Sequence, residues 1–281
     1  MCRFFVDNNY GLEIKGGLKY NNSGDIMLLV FDVGNTNIKL GLFEGENLVM
    51  IARTSTDGRK TGEELALEIK GIFEVYGFDI KSVEGSIISS VVPQVLTSLK
   101  RAVKLLFKTE PLVVGPGLKT GINLKIENPA SAGADLVTGC VGAAEMYKLP
   151  CIAISMGTAT TVFVIDENKS MIGGAIIPGV GISLNALAKQ GALLPSVGIH
   201  APDKVVGKNT DECMRSGVVI GTASMIDGMI DRIEEETGLS CSLVATGGYA
   251  AEIVPNCKHK IEFRDDLMLQ GLRLIYEKNV K

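Results

Sequence analysis

Met27-Leu-Leu-Val-Phe-Asp-Val-Gly-Asn-Thr-Asn-Ile-Lys-Leu-Gly-Leu-Phe43 is the stretch on which the fold turns. Met27 to Asp32 is an apolar run closed by an acid, which reads as a buried strand. Val33-Gly-Asn-Thr-Asn37 is a tight polar turn, and Ile38-Lys-Leu-Gly-Leu-Phe43 reads as a second strand. Glu44-Gly-Glu-Asn47 has hairpin-turn composition, and residues 48–52 return as a third strand. The stretch therefore predicts a three-stranded meander whose first turn is polar.

The same pattern recurs downstream. Cys151-Ile-Ala-Ile-Ser155 is a strand, Met156-Gly-Thr-Ala-Thr160 a glycine-containing polar turn, and residues 161–165 a strand. Asp166-Glu-Asn-Lys169 is again a turn, and residues 170–177 return. One constant shift lays Gly157 on Gly34, Thr158 on Asn35 and Thr160 on Asn37. Repetition on this scale is a whole-fold signal, and it predicts two similar lobes.

Helical spacing marks residues 61–76 through Leu65, Ile69, Ile72 and Phe73, and Pro93 opens a helix that runs to Phe107. Further helices are expected over 134–147, 183–193 and 209–237, and from Asp266 onward. Strands are expected at 85–90, 112–114 and 242–245. The sum is an α/β chain with mixed sheets flanked by helices. Its lobes span 27–145 and 146–281 and abut, with a cleft between the two glycine turns. Residues 1–26 are polar and rich in Asn and Gly, and read as an extension outside the core fold rather than a secretory signal.

The composition narrows the function. With 281 residues, 46% hydrophobic and 21% charged, the chain reads as globular and water-soluble. A net charge of −4 without a basic stripe, and 5% aromatic residues without Trp, argue against a nucleic-acid partner. No apolar run is long enough to span a bilayer, so no membrane partner is expected. The six cysteines include no C-x-x-C pair and read as free thiols in the reducing cytoplasm. His200 and His259 are isolated, which leaves no metal-ligand spacing.

Several residue groups could carry chemistry. Gly34 lets backbone N–H groups approach an anion, and Asn35, Thr36 and Asn37 add neutral donors. Asp32, at the strand end, can hold hydrated Mg²⁺ beside phosphates. Alone, the turn is equally an ordinary β-turn. A second copy facing it makes a phosphate clamp. Asp135 opens a helix and is either a helix N-cap or a proton acceptor. Gly247-Gly248 follows a strand, as an adenine platform or a plain turn. Thr210 could cap a helix. Gly217, Gly221, Ser224 and Gly228 put small residues on one helical face, either for a dimer seam or for packing within the chain.

Six pieces occur in one order: residues 32–37, Gly133-Ala-Asp135, Gly157-Thr-Ala-Thr-Thr161, Gly173-Gly-Ala-Ile-Ile-Pro-Gly179, Gly207-Lys-Asn-Thr210 and Thr246-Gly-Gly248. Over residues 27–281 the chain thereby resembles type III pantothenate kinases, of the acetate and sugar kinase/Hsp70/actin superfamily. The resemblance implies two duplicated actin-like, ribonuclease H-like lobes and a homodimer that phosphorylates pantothenate with ATP and Mg²⁺, the first step of coenzyme A synthesis. It implies that Asp32, Val33, Gly34, Asn35, Thr36, Asn37, Ile38, Lys39, Thr158, Gly247 and Gly248 hold the nucleotide. Asp135 becomes the general base, with Ile126, Gly133, Ala134, Leu136 and Thr210 around the acceptor and Thr210 reaching it in the partner subunit.

Three positions depart from the family pattern. Leu136 stands where the family usually has Arg, and Ile126 where it usually has Tyr; both line the acceptor pocket. Ser155 stands where the family usually has the Asp that binds K⁺ or NH₄⁺. Leu cannot grip a carboxylate as Arg does, and Ser brings an oxygen without a full charge. Two further readings follow from these losses: a kinase of another small hydroxylated acceptor, or a weakly active nucleotide-binding homologue with a partner or regulatory role.

Overall fold

The computed structural model describes residues 27–191 and 197–280. The expected extension, 1–26, lies outside them. β1 (Met27–Val33), β2 (Asn37–Glu44) and β3 (Asn47–Ser55) form the expected meander. β1 runs parallel to β4 (Val83–Ser90), which in turn runs parallel to β5 (Leu112–Val113). The first sheet is therefore mixed, in the order β3-β2-β1-β4-β5. Met27 through Phe31 are all buried, as in a strand covered on both faces.

α1 (Gly62–Tyr76) starts with a capping box. The Thr61 side chain accepts from the Glu64 N–H, and Thr61 N donates to the Glu64 carboxylate at 2.8 Å. Gly77, at φ 77°, ends it in the left-handed conformation that only glycine adopts without cost. α1 and α2 (Pro93–Phe107) bury Leu65, Ile69, Phe73, Val95, Leu99 and Val103 against Leu29, Phe31, Ile38 and Leu40. The other face of the sheet stays free for elements shared between the lobes.

β6 (Asn123–Leu124) and α3 (Ala134–Met146) precede the second meander of β7 (Cys151–Met156), β8 (Ala159–Ile165) and β9 (Ser170–Pro178). After it come α4 (Val180–Gln190) and a helical stretch of α5 (Thr210–Arg215), a π-helical turn (Ser216–Ile220) and α6 (Gly221–Thr237). β10 (Ser242–Thr246), α7 (Ala250–Ile253), β11 (Glu262–Phe263) and α8 (Leu267–Val280) complete the fold. The second sheet has the order β11-β10-β7-β8-β9-β6. Renumbered from β7, its first five strands repeat the order and directions of the first sheet. The duplication read from the two turns thus extends through five strands of each sheet, and among the described strands β6 alone has no counterpart.

Each half also lends an element to the other. β6 joins the edge of the second sheet beside β9. α8 packs on β1, β2 and β4 and lies along α3, which also touches β4, β7 and β8. The two helices meet at glycines. A Cβ on Gly142 would lie 2.6 Å from the Leu267 carbonyl, and one on Gly271 would lie 2.1 Å from the Thr138 carbonyl. One apolar cluster, including Val30, Ile87, Val141, Ala153, Ile165 and Leu272, runs through both halves.

Two expectations need adjustment, and two short strands escape the sequence pattern. The single helix over 209–237 contains the π-helical turn, one residue of slack that no 3.6-residue pattern reveals. The helix expected at 183–193 starts at Val180, right after Gly179. β6 and β11 have two residues each, too few to show a period. Among the described residues, nothing packs on the small-residue face of α6 and the turn before it. Gly217, Gly221 and Ser224 are exposed, and added Cβ atoms on Gly217, Gly221 and Gly228 would meet nothing within 4 Å.

Candidate active site

The first glycine turn is closed by the buried pair Val33 and Ile38, whose side chains belong to the core and whose backbones frame the loop. Gly34 N donates to Asn37 O at 3.0 Å. Thr56, just past β3, braces it: its Oγ1 donates to Gly34 O at 2.7 Å and its N–H to Thr36 O at 2.9 Å. Asn35, Thr36 and Asn37 are left exposed on a fixed backbone, as an anion seat requires.

The second turn is one residue tighter, because Met156 pairs with Thr160 and Gly157 N donates to Ala159 O at 3.0 Å. Two glycines press on it. A Cβ on Gly179 would lie 2.1 Å from the Thr158 carbonyl. Gly247, at φ 101°, would put a Cβ 2.5 Å from the Met156 carbonyl. Tyr249 N donates to that same carbonyl at 3.3 Å. Thr158 and Gly247-Gly248 are thereby gathered on the second lobe, with Thr158 and Gly248 exposed.

Asp32 pairs in register with Lys39 on β2 and Ser89 on β4. Ser155 holds the matching place in the second sheet, between Thr161 and Thr246. The duplicated position is thus acidic in one lobe and neutral in the other. Burial pushes the Asp32 carboxyl up to about 6, the Asp135 carboxylate adds to the rise, and Lys39 opposes it. Asp135, from α3, therefore lies within electrostatic reach of Asp32.

Asp135 is exposed, and its Oδ1 accepts from the Leu136 N–H at 2.8 Å. The reading of Asp135 as the helix N-cap is corrected here. Gly133 occupies that position and α3 starts at Ala134, so the carboxylate stands in the first turn. A Cβ on Gly133 would lie 2.5 Å from Asp135 Oδ1, so glycine leaves the acid its room.

This donor set fits a hydrated divalent cation. Burial and mutual repulsion both resist ionisation of Asp32, and a dication beside it relieves both. Among the described residues no group of three or more His, Cys, Asp or Glu could hold a metal alone. Water and phosphate oxygens would complete the shell, which is the habit of Mg²⁺.

Lys39 has a partner that the sequence does not reveal. Its Nζ donates to Asp265 Oδ1 at 2.6 Å and also to the Asp265 carbonyl. Burial pulls the ammonium below the usual lysine range, and Asp265 opposes that. Ile126, Ala134 and Leu136 are half-buried against the apolar cluster shared by the two halves.

Thr210 stands apart from these. It lines a cavity of about 900 Å³ between the end of β9, α4 and the α5–α6 stretch, with Ile177, Leu187, Lys208, Met214 and Met225. Neither Ile126 nor any of residues 133–136 lines that cavity. Thr210 is not a helix cap either. Asn209 is, with its Oδ1 accepting from Glu212 N at 2.9 Å, and Thr210 is the first helical residue.

A sequence profile of type III pantothenate kinases matches residues 28–232. A type III pantothenate kinase from Exiguobacterium sp. strain AT1b is 42% identical over 255 residues, covering 91% of this chain and 100% of that protein. Among solved structures, a Campylobacter jejuni protein assigned to the Baf family of transcriptional activators superposes with a TM-score of 0.57 at 17% identity, covering 89% of this chain and 97% of that one. Component A of (R)-2-hydroxyglutaryl-CoA dehydratase from Acidaminococcus fermentans gives 0.51 at 14% identity, over 89% and 97% of the two chains. At such identities these two report the shared two-lobed fold alone. The profile match and the full-length relative decide the family: this chain belongs to the type III pantothenate kinases.

Proposed function

We propose that the chain transfers the γ-phosphoryl group of ATP to the hydroxyl of pantothenate, the first step of coenzyme A synthesis. The observation that carries this reading is the electrostatic pressure of the Asp135 carboxylate on the buried Asp32, from another element of the first half. Phosphoryl transfer needs a group that accepts the hydroxyl proton and charges that steady the phosphate oxygens. Asp135, exposed at the start of α3, takes the first task. Asp32 holds Mg²⁺, which when bound neutralises charge on the phosphates. Residues 33–39 and Thr158 seat the phosphates from the two lobes, and Gly247-Gly248 give the adenine a flat backbone surface. The lobes are residues 27–145 and 146–281, with β6 and α8 exchanged between them.

The acceptor pocket lies along Ile126, Gly133, Ala134, Asp135 and Leu136, with Thr210 supplied by a second copy in a homodimer. Two features support the dimer. Thr210 lines a cavity apart from Asp135 of its own chain, and the small residues 217, 221 and 224 face outward beside it. The enzyme works in the cytoplasm; no described helix is long and apolar enough to cross a membrane. Ser155 leaves the monovalent-cation position without its carboxylate, so turnover proceeds without K⁺. The relative described above carries a kinase name, which favours catalysis over a purely regulatory role.

A coupled assay of ADP release tests the reading with purified protein, ATP and Mg²⁺. Release that depends on pantothenate, with a product heavier by one phosphoryl group, is expected. Nucleotide binding without pantothenate-dependent release would refute it.

A further inference from the structure

Ser89, Asp32, Lys39 and Arg53 stand in one row across β4, β1, β2 and β3. Lys39 and Arg53 are directly opposite on neighbouring strands, an arrangement that by itself is repulsive. The carboxylate of Asp265 sits between them. Its Oδ1 accepts from Lys39 Nζ at 2.6 Å and its Oδ2 from Arg53 Nη2 at 2.6 Å. Its carbonyl accepts from Lys39 Nζ as well. Asp265 comes from the segment joining β11 to α8, so an element of the second half fixes a cation of the first.

We propose that Asp265 is a positioning residue of the nucleotide site, which holds the Lys39 ammonium ready in the row beside Asp32, with Arg53 as the second anchor of its carboxylate. The proposal rests on the reading that Lys39 meets the phosphates of ATP. An ammonium has three N–H donors. Asp265 takes two of those on Lys39, which leaves one for a phosphate oxygen. The lysine stem is flexible, and a cation held in place before the ligand arrives loses less freedom on binding. With its side chain 13% exposed, Lys39 also has little water to replace a lost partner.

The alternative is that Asp265 occupies a phosphate position and competes with the ligand. Three hydrogen bonds to two cations, one of them through the backbone carbonyl, argue against displacement. The neighbouring acid cannot stand in for it. Asp266 is engaged by Arg264 at 3.0 Å and by Gln270 at 3.0 Å.

The test is calorimetric titration of the full chain with Mg²⁺ and a non-hydrolysable ATP analogue, with a melting curve for each variant. Asp265→Asn should weaken binding about 10- to 100-fold, the range for one charge-assisted hydrogen bond. Asp265→Glu should recover most of the loss. In a Lys39→Met background Asp265→Asn should change affinity by less than about twofold, because residues that act through one another are not additive. If Asp265→Asn melts too early to measure, Arg53→Gln serves in its place, with a smaller loss that again vanishes in the Lys39→Met background.

Equal or tighter binding by Asp265→Asn, or an undiminished effect without Lys39, overturns the proposal while the nucleotide site stands. No binding by the unaltered protein overturns the nucleotide reading and the proposal together.

Discussion

Asp32→Asn removes a carboxylate that the fold holds against its own preference, and should therefore stabilise the protein while ending its function. The carboxyl titrates near 3.8 in a free chain and at about 6 in the fold, raised first by burial and then by Asp135. At about 1.36 kcal/mol per pH unit, the rise corresponds to about 3 kcal/mol. The sign follows from proton binding. Between these two values the folded protein holds the proton more tightly than the unfolded chain. The associated stability is therefore complete below the free-chain value and is lost as pH rises through about 6.

Asn does not titrate. At pH 8 the variant should exceed the unaltered protein by about 2–3 kcal/mol, and at roughly 2–4 °C per kcal/mol for a chain of this size that is about 5–10 °C in Tm. The margin should close on approach to pH 4. Thermal melts in magnesium-free buffer from pH 4 to 8 measure it, and the difference between the two proteins isolates the one group. Mg²⁺ with nucleotide should then reverse the order, since only the unaltered protein gains from binding. A variant no more stable at pH 8, or a margin that is constant with pH, would refute the reasoning.

Gly271→Ala drives a methyl group into the Thr138 carbonyl and should cost about 1–3 kcal/mol by urea denaturation, the usual range for overpacking. A neutral result would mean that α3 and α8 separate freely. Leu136→Arg should lower the KM for pantothenate about tenfold or more through a charge-assisted contact with its carboxylate, with the KM for ATP unchanged. An unaltered pantothenate KM would remove residue 136 from the acceptor pocket. Replacing K⁺ by a bulky organic cation should leave turnover unchanged, whereas Ser155→Asp should introduce a K⁺ requirement. A strong K⁺ requirement in the unaltered protein would contradict the role given to Ser155.

The glycine turns were legible because each is local: a strand, a Gly-containing polar turn and a returning strand, twice, with Gly34 and Gly157 in step. Asp135 reads as a helix-opening acid, but its cap position depends on whether α3 starts at Ala134 or two residues later, at Leu136, which no pattern decides. Asp265 was not legible. Its partner Lys39 lies 226 residues away, and an acid before a helix looks like ordinary first-turn chemistry. The return of α8 to the first sheet was hidden for the same reason. A helix pattern names a buried face without naming what buries it. β6 and the π-helical turn failed differently, since two residues or a single extra one leave no period to read.

Proton transfer at Asp135, with Asp32 proposed to hold the nucleotide's metal, is the proposal on which the rest depends. Steady-state phosphorylation of pantothenate by the unaltered protein and by Asp135→Asn tests it most directly, with ATP affinity measured in parallel. A fall in kcat of about 10²- to 10⁴-fold with ATP affinity retained is predicted for loss of a general base. An unchanged kcat would contradict it.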